Sequence, residues 1–292
     1  MKRLLLCVAA ITLSSISASA MILFGAGNNE TTSDPDNGIP WDSVVRTNDG
    51  TAVHLGNGYF LTANHVISND IFVFDEASQT EIKYTTDTSF GTDGKIQIGG
   101  VDLKIFKVSD PEILKLDYAI LYDEILPEGT DIYHVGAGIG RGSAPLNTAD
   151  TQIGVGGSKT VRWGTNEAYH DTYKDLFLYM TIANAPPYGV DPFDYKYEAG
   201  LTSGDSGSPM FVQILDKWYV AGIAFGVSDS GSYVVFSNGS NASINYMLRS
   251  TDYYDEIYAI VPFIPEPSEI AVIFGFCAMA FAICKRKKKR TA

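Results

Sequence analysis

Residues 204–225 read GDSGSPMFVQILDKWYVAGIAF, and this stretch contains the features that decide the fold. Ser206 lies in a turn built from glycine and other small residues, and glycine permits tight turns that leave backbone amides exposed. Two short apolar segments, 210–215 and 218–225, follow the turn and have the length and composition of β-strands. The stretch therefore predicts a reactive serine held by β-structure.

The same pattern continues from residue 41 to residue 261, where short strands alternate with turns and no long segment has helical periodicity. A turn-rich break, Leu-Pro-Glu-Gly at 126–129, divides the strands into two equal groups. We expect an all-β fold of two six-stranded antiparallel Greek-key barrels, 41–126 and 127–262. The expected strands are 52–55, 59–62, 71–74, 95–98, 103–108 and 118–122 in the first barrel, and 132–136, 159–163, 176–181, 210–215, 218–225 and 233–236 in the second.

Three side chains fit nucleophilic catalysis. Because serine is a poor nucleophile at its ordinary pKa, Ser206 needs a nearby base, and His65 stands where an apolar strand gives way to polar residues. The other histidines, at 54, 134 and 170, lack this setting. Asp117 enters an otherwise apolar strand and is the candidate acid that orients the imidazole. The amides of Gly204 and Ser206 are the candidate oxyanion hole.

Three motifs carry a family resemblance. Thr62-Ala63-Asn64-His65, Asp117-Tyr118-Ala119-Ile120 and Gly204-Asp205-Ser206-Gly207-Ser208-Pro209 resemble, in order, the motifs of chymotrypsin-like serine proteases. The resemblance spans residues 41–261 and implies a serine endopeptidase with His65, Asp117 and Ser206 as its catalytic triad. It implies no metal and no cofactor, and it makes a protein or peptide the expected substrate.

The resemblance also implies a substrate pocket. Ala224, Phe225 and Gly226 match the strand that walls the pocket, and Gly200 matches its floor. Because Gly200 carries no acid, we expect a preference for uncharged side chains. No Ile-Val-Gly-Gly sequence precedes the domain, which puts activation by a freed N-terminus in doubt. Two roles therefore stay open for Asp205: it pairs with such a terminus, or it caps its own turn.

Both ends of the chain have the character of targeting segments. Residues 1–20 form a basic and then apolar signal peptide, and the polar residues 21–40 read as a flexible leader. Residues 263–292 contain Pro-Glu-Pro at 265–267, an apolar run at 270–284 and a basic cluster at 285–290. This order resembles the PEP-CTERM sorting signal, which implies membrane contact through a short transmembrane helix and processing by an exosortase-like enzyme. A plain C-terminal anchor is the alternative.

Charge and cysteine content limit the partners. The chain has a formal net charge of −13, and eight of its 21 basic residues lie in the two end segments, so the part between is more acidic than the whole. Such a domain is not expected to bind nucleic acid. Cys7, Cys277 and Cys284 also lie in the end segments, which leaves the folded part without a thiol for disulfides or metal ligation.

Three functions are compatible with these patterns. The first is an exported endopeptidase in the cell envelope or the medium, whose activity rises as His65 loses its proton. The second is a non-catalytic binding or scaffold protein displayed at the surface, suggested by the missing activation start. The third is an esterase, because the same acyl chemistry cleaves esters more readily than peptides.

Overall fold

The computed structural model describes residues 22–23, 31–75, 80–141, 155–171, 176–181, 197, 199–202, 204–227, 234–235 and 241–262. The predicted signal peptide and the predicted sorting segment lie outside these residues. The strands are, in chain order, β1 (Ile22–Leu23), β2 (Val44–Thr47), β3 (Thr51–Gly56), β4 (Tyr59–Thr62), β5 (Asp70–Asp75), β6 (Thr80–Thr85), β7 (Lys95–Gln97), β8 (Lys104–Lys107), β9 (Thr130–Gly136), β10 (Ile139–Arg141), β11 (Val155–Lys159), β12 (Arg162–Asp171), β13 (Leu176–Thr181), β14 (Ala199–Gly200), β15 (Pro209–Ile214), β16 (Lys217–Val227), β17 (Val234–Val235) and β18 (Asn241–Arg249).

The first half of the chain forms a seven-stranded antiparallel sheet in the order β6-β5-β2-β3-β4-β8-β7. Strand β4 lies between β3 and β8, with Thr62 opposite Lys104. Beyond the end of β6, Thr86 pairs with Val108, which follows β8, so the sheet curls back on itself. This arrangement brings the end of β4, and the loop that follows it, next to the start of β8.

The second half forms the sheet β13-β12-β9-β15-β16-β18-β17, in which β13 also pairs with β18. The pairing of β13 with β18 closes six strands into a ring and leaves β17 outside it. Two smaller antiparallel pairs, β1 with β14 and β10 with β11, accompany this ring.

Apolar side chains from both sheets form one continuous core. Leu61 and Ile105 from the first sheet, and Phe211 and Ile223 from the second, are fully buried in the same cluster. Each sheet has a further apolar cluster of its own. Burying both sheets against a shared core fixes the two halves relative to each other, and it is along this contact that the candidate site lies.

The prediction of an all-β fold is confirmed, although individual strands differ. Residues 118–122, expected to form a strand of the first barrel, are an extended connector between the two halves: Ala119 N–H donates to His54 O, and Tyr122 N–H donates to Val220 O. Their continuous apolar composition resembles that of a buried strand because these residues are buried or half-buried between the two halves. Six strands were absent from the prediction, namely β1, β2, β6, β10, β14 and β18, and the expected strand 159–163 covers the end of β11 and the start of β12.

The segment expected to be a flexible leader packs against the second sheet over residues 31–40. The indole N–H of Trp163 donates to Ser33 O at 3.0 Å, and that of Trp218 donates to Asn37 O at 3.0 Å. Thr31 and Ile39 are buried. Polar composition alone suggested flexibility, whereas two tryptophans far along the chain supply the donors that hold this backbone.

The chain returns to the first sheet through helix α1 (Tyr254–Ile260). Glu256 accepts a hydrogen bond from Gly99 N–H at 2.9 Å, in the turn before β8, and Ile257 joins the shared core. The helix thereby supports the turn that leads to Asp102. Among the described residues, no helix has the length and hydropathy needed to cross a membrane.

Candidate active site

His65 lies in the loop that follows β4 and pairs with a carboxylate. Its Nδ1 is 2.6 Å from Asp102 Oδ2, and its backbone N–H donates to Asp102 Oδ1 at 2.9 Å. Because a carboxylate only accepts hydrogen bonds, Nδ1 carries the proton and Nε2 is left as the acceptor. The side chain of His65 is 46% exposed, so Nε2 belongs to a ring that a substrate can approach.

The acid beside His65 is therefore Asp102, whereas the sequence predicts Asp117. Asp102 lies two residues before Lys104, the first residue of β8, and β8 pairs with β4, so the Asp102 carboxylate reaches the loop at the end of β4. Asp117 is exposed, and its backbone carbonyl instead accepts a hydrogen bond from Nδ1 of His54 at 2.7 Å. The described hydrogen bond of Asp117 is therefore with His54, whereas the partner of His65 is Asp102.

The signal for Asp102 was present in the sequence. Asp102-Leu103-Lys104-Ile105 is an acid entering an apolar strand, as is Asp117-Tyr118-Ala119-Ile120. Only the pairing of strands separates the two, because one segment lies beside β4 and the other connects the halves. Local pattern carries no information about that pairing.

His54 and His134 have the structural settings that their sequence contexts suggest. His54 donates from Nδ1 and accepts from Gly58 N–H at Nε2, and burial lowers its pKa. His134 is fully buried in β9, and this burial lowers its pKa to about 3. Both rings are consequently neutral at physiological pH.

Ser206 is in a turn that is fastened to both sheets. Gly207 N–H donates to Ala224 O at 2.7 Å, and Thr51 N–H donates to Ser206 O at 2.9 Å. A Cβ on Gly207, whose φ is +85°, would collide with Thr51 O and Thr62 Oγ1. Only glycine fits this contact, which brings the serine turn onto the end of β4, three residues before His65.

A second close contact links the serine turn to the histidine loop. A Cβ on Gly50 would lie 2.7 Å from Ser206 O and 2.8 Å from a methyl group of Val66, the residue after His65. The two segments therefore meet around Gly50. The described residues contain no hydrogen bond between the Ser206 hydroxyl and the His65 ring, so the structure brings their backbones together without joining these two groups.

The predicted oxyanion-hole amides belong to the same turn. Gly204 has a φ of +95°, and its carbonyl accepts a hydrogen bond from Thr51 Oγ1 at 3.0 Å. Among the described residues, the backbone N–H groups of Gly204 and Ser206 donate no hydrogen bond. Donors left unused by the fold are what stabilisation of a developing oxyanion requires.

Asp205 anchors the turn from inside. Its fully buried carboxylate accepts hydrogen bonds from Gly138 N–H at 2.8 Å, from Thr202 N–H at 2.8 Å and from the Thr202 hydroxyl at 3.1 Å. Arg162 is also fully buried and lies opposite Gly136, whose Cα faces the Asp205 carboxylate. Sequence reasoning missed this arginine, since nothing local to Arg162 distinguishes it from an ordinary strand residue.

Burial dominates the electrostatics of this pair. It raises the pKa of Asp205 to about 6, against the hydrogen bonds from Thr202 and Gly138 and the charge of Arg162, which all lower it. It also lowers the pKa of Arg162 to about 10, opposed by the charge of Asp205. Both groups are thus ionised at neutral pH, and the charge of each favours the ionised form of the other.

The residues matched to the substrate pocket lie beside the turn. Ala224 is buried in β16 and exchanges hydrogen bonds with the turn, since its N–H donates to Ser208 O. Phe225, at a β-bulge, and Gly226 are half-buried, and a Cβ on Gly226 would meet nothing within 4 Å. Gly200 is buried in β14, opposite Ile22 of β1. In the described ranges, no group of three His, Cys, Asp or Glu residues is placed to hold a metal ion.

Comparison with known proteins identifies the fold. No protein-family model and no curated protein matches the sequence. Among solved structures, the chain is similar to neuropsin, a serine protease expressed in the limbic system of mouse brain, with a TM-score of 0.50 and 15% sequence identity. The match covers 78% of this chain and 97% of that one. The chain has the chymotrypsin-like fold.

Proposed function

We propose that this protein is a serine endopeptidase that works through an acyl-enzyme. The observation that carries the proposal is the pairing of His65 with Asp102 beside a serine turn that only glycine at 207 permits. His65, Asp102 and Ser206 form its triad, and the amides of Gly204 and Ser206 form its oxyanion hole.

Each group has one task in the reaction. The Ser206 oxygen attacks the carbonyl carbon of the substrate while its proton passes to Nε2 of His65. The carbonyl oxygen becomes negative and is stabilised by the two amides. As the C–N bond breaks, Nε2 returns a proton to the leaving amine, and water then hydrolyses the ester on Ser206 by the same route. Asp102 holds the proton on Nδ1 and stabilises the imidazolium.

The fixed position of Asp205 favours an enzyme over a scaffold. The scaffold hypothesis rests on the missing activation start, but the buried carboxylate of Asp205 already has partners in Gly138, Thr202 and Arg162. The turn therefore has an internal anchor that requires no newly freed N-terminus. Protein or peptide substrates follow from the reaction.

A fluorophosphonate probe tests this function directly. The full chain is expressed with its native ends, labelled, and analysed by mass spectrometry to find the modified residue. We expect an adduct on Ser206 that is lost in Ser206→Ala and His65→Ala. Ser208→Ala is the matched control, because this buried hydroxyl is two residues away and should leave labelling intact. A folded protein without the Ser206 adduct would contradict the proposal.

The substrate preference is tested with peptides that differ only in the residue before the scissile bond. With Gly200 at the pocket floor and open space beside Gly226, we expect faster cleavage after uncharged side chains. Equal or faster cleavage after Lys or Arg would count against this preference. Parallel ester substrates separate a peptidase from an enzyme that cleaves esters alone.

The proposed location is outside the cytoplasm, in the cell envelope or the medium. Residues 1–20 act as the signal peptide, and residues 263–292 act as the sorting segment, with membrane contact until an exosortase-like enzyme removes it. Strand β1 begins at Ile22, just after the proposed cleavage site, and its pairing with β14 supports retention of residue 22 onward. Terminal sequencing of the mature protein measures both processing sites.

A further inference from the structure

Lys104 is a buried cation next to the candidate active site, and the proposed reaction gives it no role. It follows Asp102 by two residues in β8, and only 2% of its surface is exposed. Its ammonium group donates to the backbone carbonyls of Asn64, at 3.3 Å, and of Val66. These are the residues on either side of His65.

Two backbone N–H groups of the same loop donate to carboxylates from different parts of the first sheet. Asp102 accepts the His65 N–H, and Asp49, in the turn between β2 and β3, accepts the Ile67 N–H at 2.6 Å. Lys104 takes the two carbonyls, and its charge is attracted by both carboxylates. The backbone that carries His65 is thus fixed by two acids and one lysine.

We propose that Lys104 is a positioning residue, which holds His65 in register with Asp102 by binding the carbonyls on both sides of it. The inference rests on the proposed function. Burying an ammonium group is unfavourable unless its hydrogen bonds and charge are compensated, and an apolar side chain would fill the space without that cost. Here the compensation is concentrated on the single loop that carries the base.

The charge of Lys104 also makes the positioning of His65 sensitive to pH. The charged groups that act on it are Lys95 on β7, Asp49 and Asp102. Burial and the charge of Lys95 lower the pKa of Lys104 to about 8, while Asp49 and Asp102 oppose the shift. When pH rises through this value, Nζ loses its charge and one donor. Its bonds to the two carbonyls then weaken, and activity falls.

The experiment compares Lys104→Met, Lys104→Arg, Lys95→Met and Lys107→Met in the full chain. We expect Lys104→Met to lower kcat by up to about 100-fold, because small displacements of a catalytic group cost that much, with KM changed less than about twofold. Lys104→Arg restores part of kcat and removes the fall near pH 8. Lys107→Met, on the same strand but over the Tyr59 ring, leaves rate and profile unchanged.

The Lys95→Met variant provides an independent test of the proposal if the Lys104→Met variant does not fold. Because Lys95 lowers the pKa of Lys104, its removal should move the alkaline fall of kcat/KM to higher pH. A profile identical to wild type in Lys95→Met, or a kcat unchanged in folded Lys104→Met, overturns the proposal.

A spectroscopic readout separates this proposal from the proposed function. The proton between His65 Nδ1 and Asp102 gives a low-field proton resonance whether or not the protein turns over substrate. We expect this resonance to broaden or disappear in Lys104→Met and to persist in Lys107→Met. A wild type that has the resonance but no fluorophosphonate labelling refutes the protease function alone, and a resonance unchanged in Lys104→Met refutes the role of Lys104.

Discussion

Arg162 and Asp205 are fully buried groups of opposite charge, and the charge of each favours the ionised form of the other. Removing one member leaves the other charged in an apolar interior, which is costly, and the surviving group responds by changing its protonation. The pKa of Asp205 is already raised to about 6 by burial. The positive charge of Arg162 lowers the pKa of Asp205, so the loss of that charge would raise this pKa further.

Arg162→Met should therefore destabilise the protein in a pH-dependent way. At pH 8 we expect the free energy of unfolding to fall by about 1 to 3 kcal/mol, because the buried Asp205 carboxylate keeps its hydrogen bonds but loses the favourable charge of Arg162. A carboxyl with a raised folded-state pKa stabilises the fold below its unfolded pKa, and this contribution is lost as pH rises through the folded pKa. The variant should thus lose less stability at pH 5, as urea unfolding at both pH values measures.

The control is Lys83→Met. Lys83 makes its ion pair with Asp70 through a side chain that is 57% exposed, where solvent screens the interaction, so its removal should cost less than about 1 kcal/mol. An equal loss of stability at pH 5 and pH 8 in Arg162→Met would contradict the role assigned to the pair.

The sequence singled out His65 and Ser206, whereas for the acid beside His65 it favoured Asp117 over Asp102. Ser206 has glycines on the turn around it, and His65 follows an apolar strand, so both are marked by their neighbours. Asp102 and Asp117 have nearly equivalent neighbours, and they differ in which strand lies beside them. Arg162 could not have been predicted, because its partner is 43 positions away in sequence and reaches it only through the closed second sheet.

At the scale of elements, the serine turn depends on one glycine contact with β3 and β4. Gly207 combines a φ of +85° with a position against Thr51 and Thr62. Gly129 has a similar φ of +74°, but a Cβ there would meet nothing within 4 Å. Substitutions at these two glycines therefore distinguish the cost of a strained backbone conformation from the cost of steric crowding.

We expect Gly207→Ala to lower the free energy of unfolding by about 2 to 4 kcal/mol, since it adds an unfavourable backbone conformation to overpacking. Gly129→Ala should cost about 1 kcal/mol, from the backbone alone. Chemical denaturation measures both values. Equal effects would mean that the turn does not need the close approach seen at Gly207, and the link between Ser206 and the end of β4 would then fail.

Element positions were predicted where several apolar residues follow one another, as in β4 and β13, whose bounds agree with the prediction. Strand β6 has only Ile82 and Tyr84 between polar or charged residues, and it is exposed along most of its length. The connector at 118–122 is a continuous apolar run without being a sheet strand. An apolar run indicates burial, and burial occurs both in strands and in segments that lie between sheets.

At the scale of the whole molecule, the all-β class and the division into two halves follow from strand length and turn spacing. The shared core does not follow from these features, because predicting it requires knowing which faces of the two sheets meet. The packing of residues 31–40 depends likewise on Trp163 and Trp218 from the second half. Long-range contacts of this kind leave no local signature.

The negative charge of the folded part should steer substrates. Between the end segments the acidic residues outnumber the basic ones, so a peptide with lysines outside the scissile pair should be attracted at low ionic strength. We expect its kcat/KM to fall several-fold from about 20 mM to about 300 mM salt, because salt screens exposed charges. A neutral analogue is the control, and an equal salt dependence for both peptides would contradict steering.

The pairing of His65 with Asp102 is the centre of this account, and Asp102→Asn against Asp117→Asn tests it most directly. The rate of Ser206 labelling and kcat on a peptide substrate are measured for both variants. We predict a loss of about 10⁴-fold in kcat for Asp102→Asn, since the imidazole loses its tautomer-fixing acceptor, and less than about threefold for Asp117→Asn, a surface change that keeps the carbonyl bound to His54. The reverse ranking would contradict the site described here.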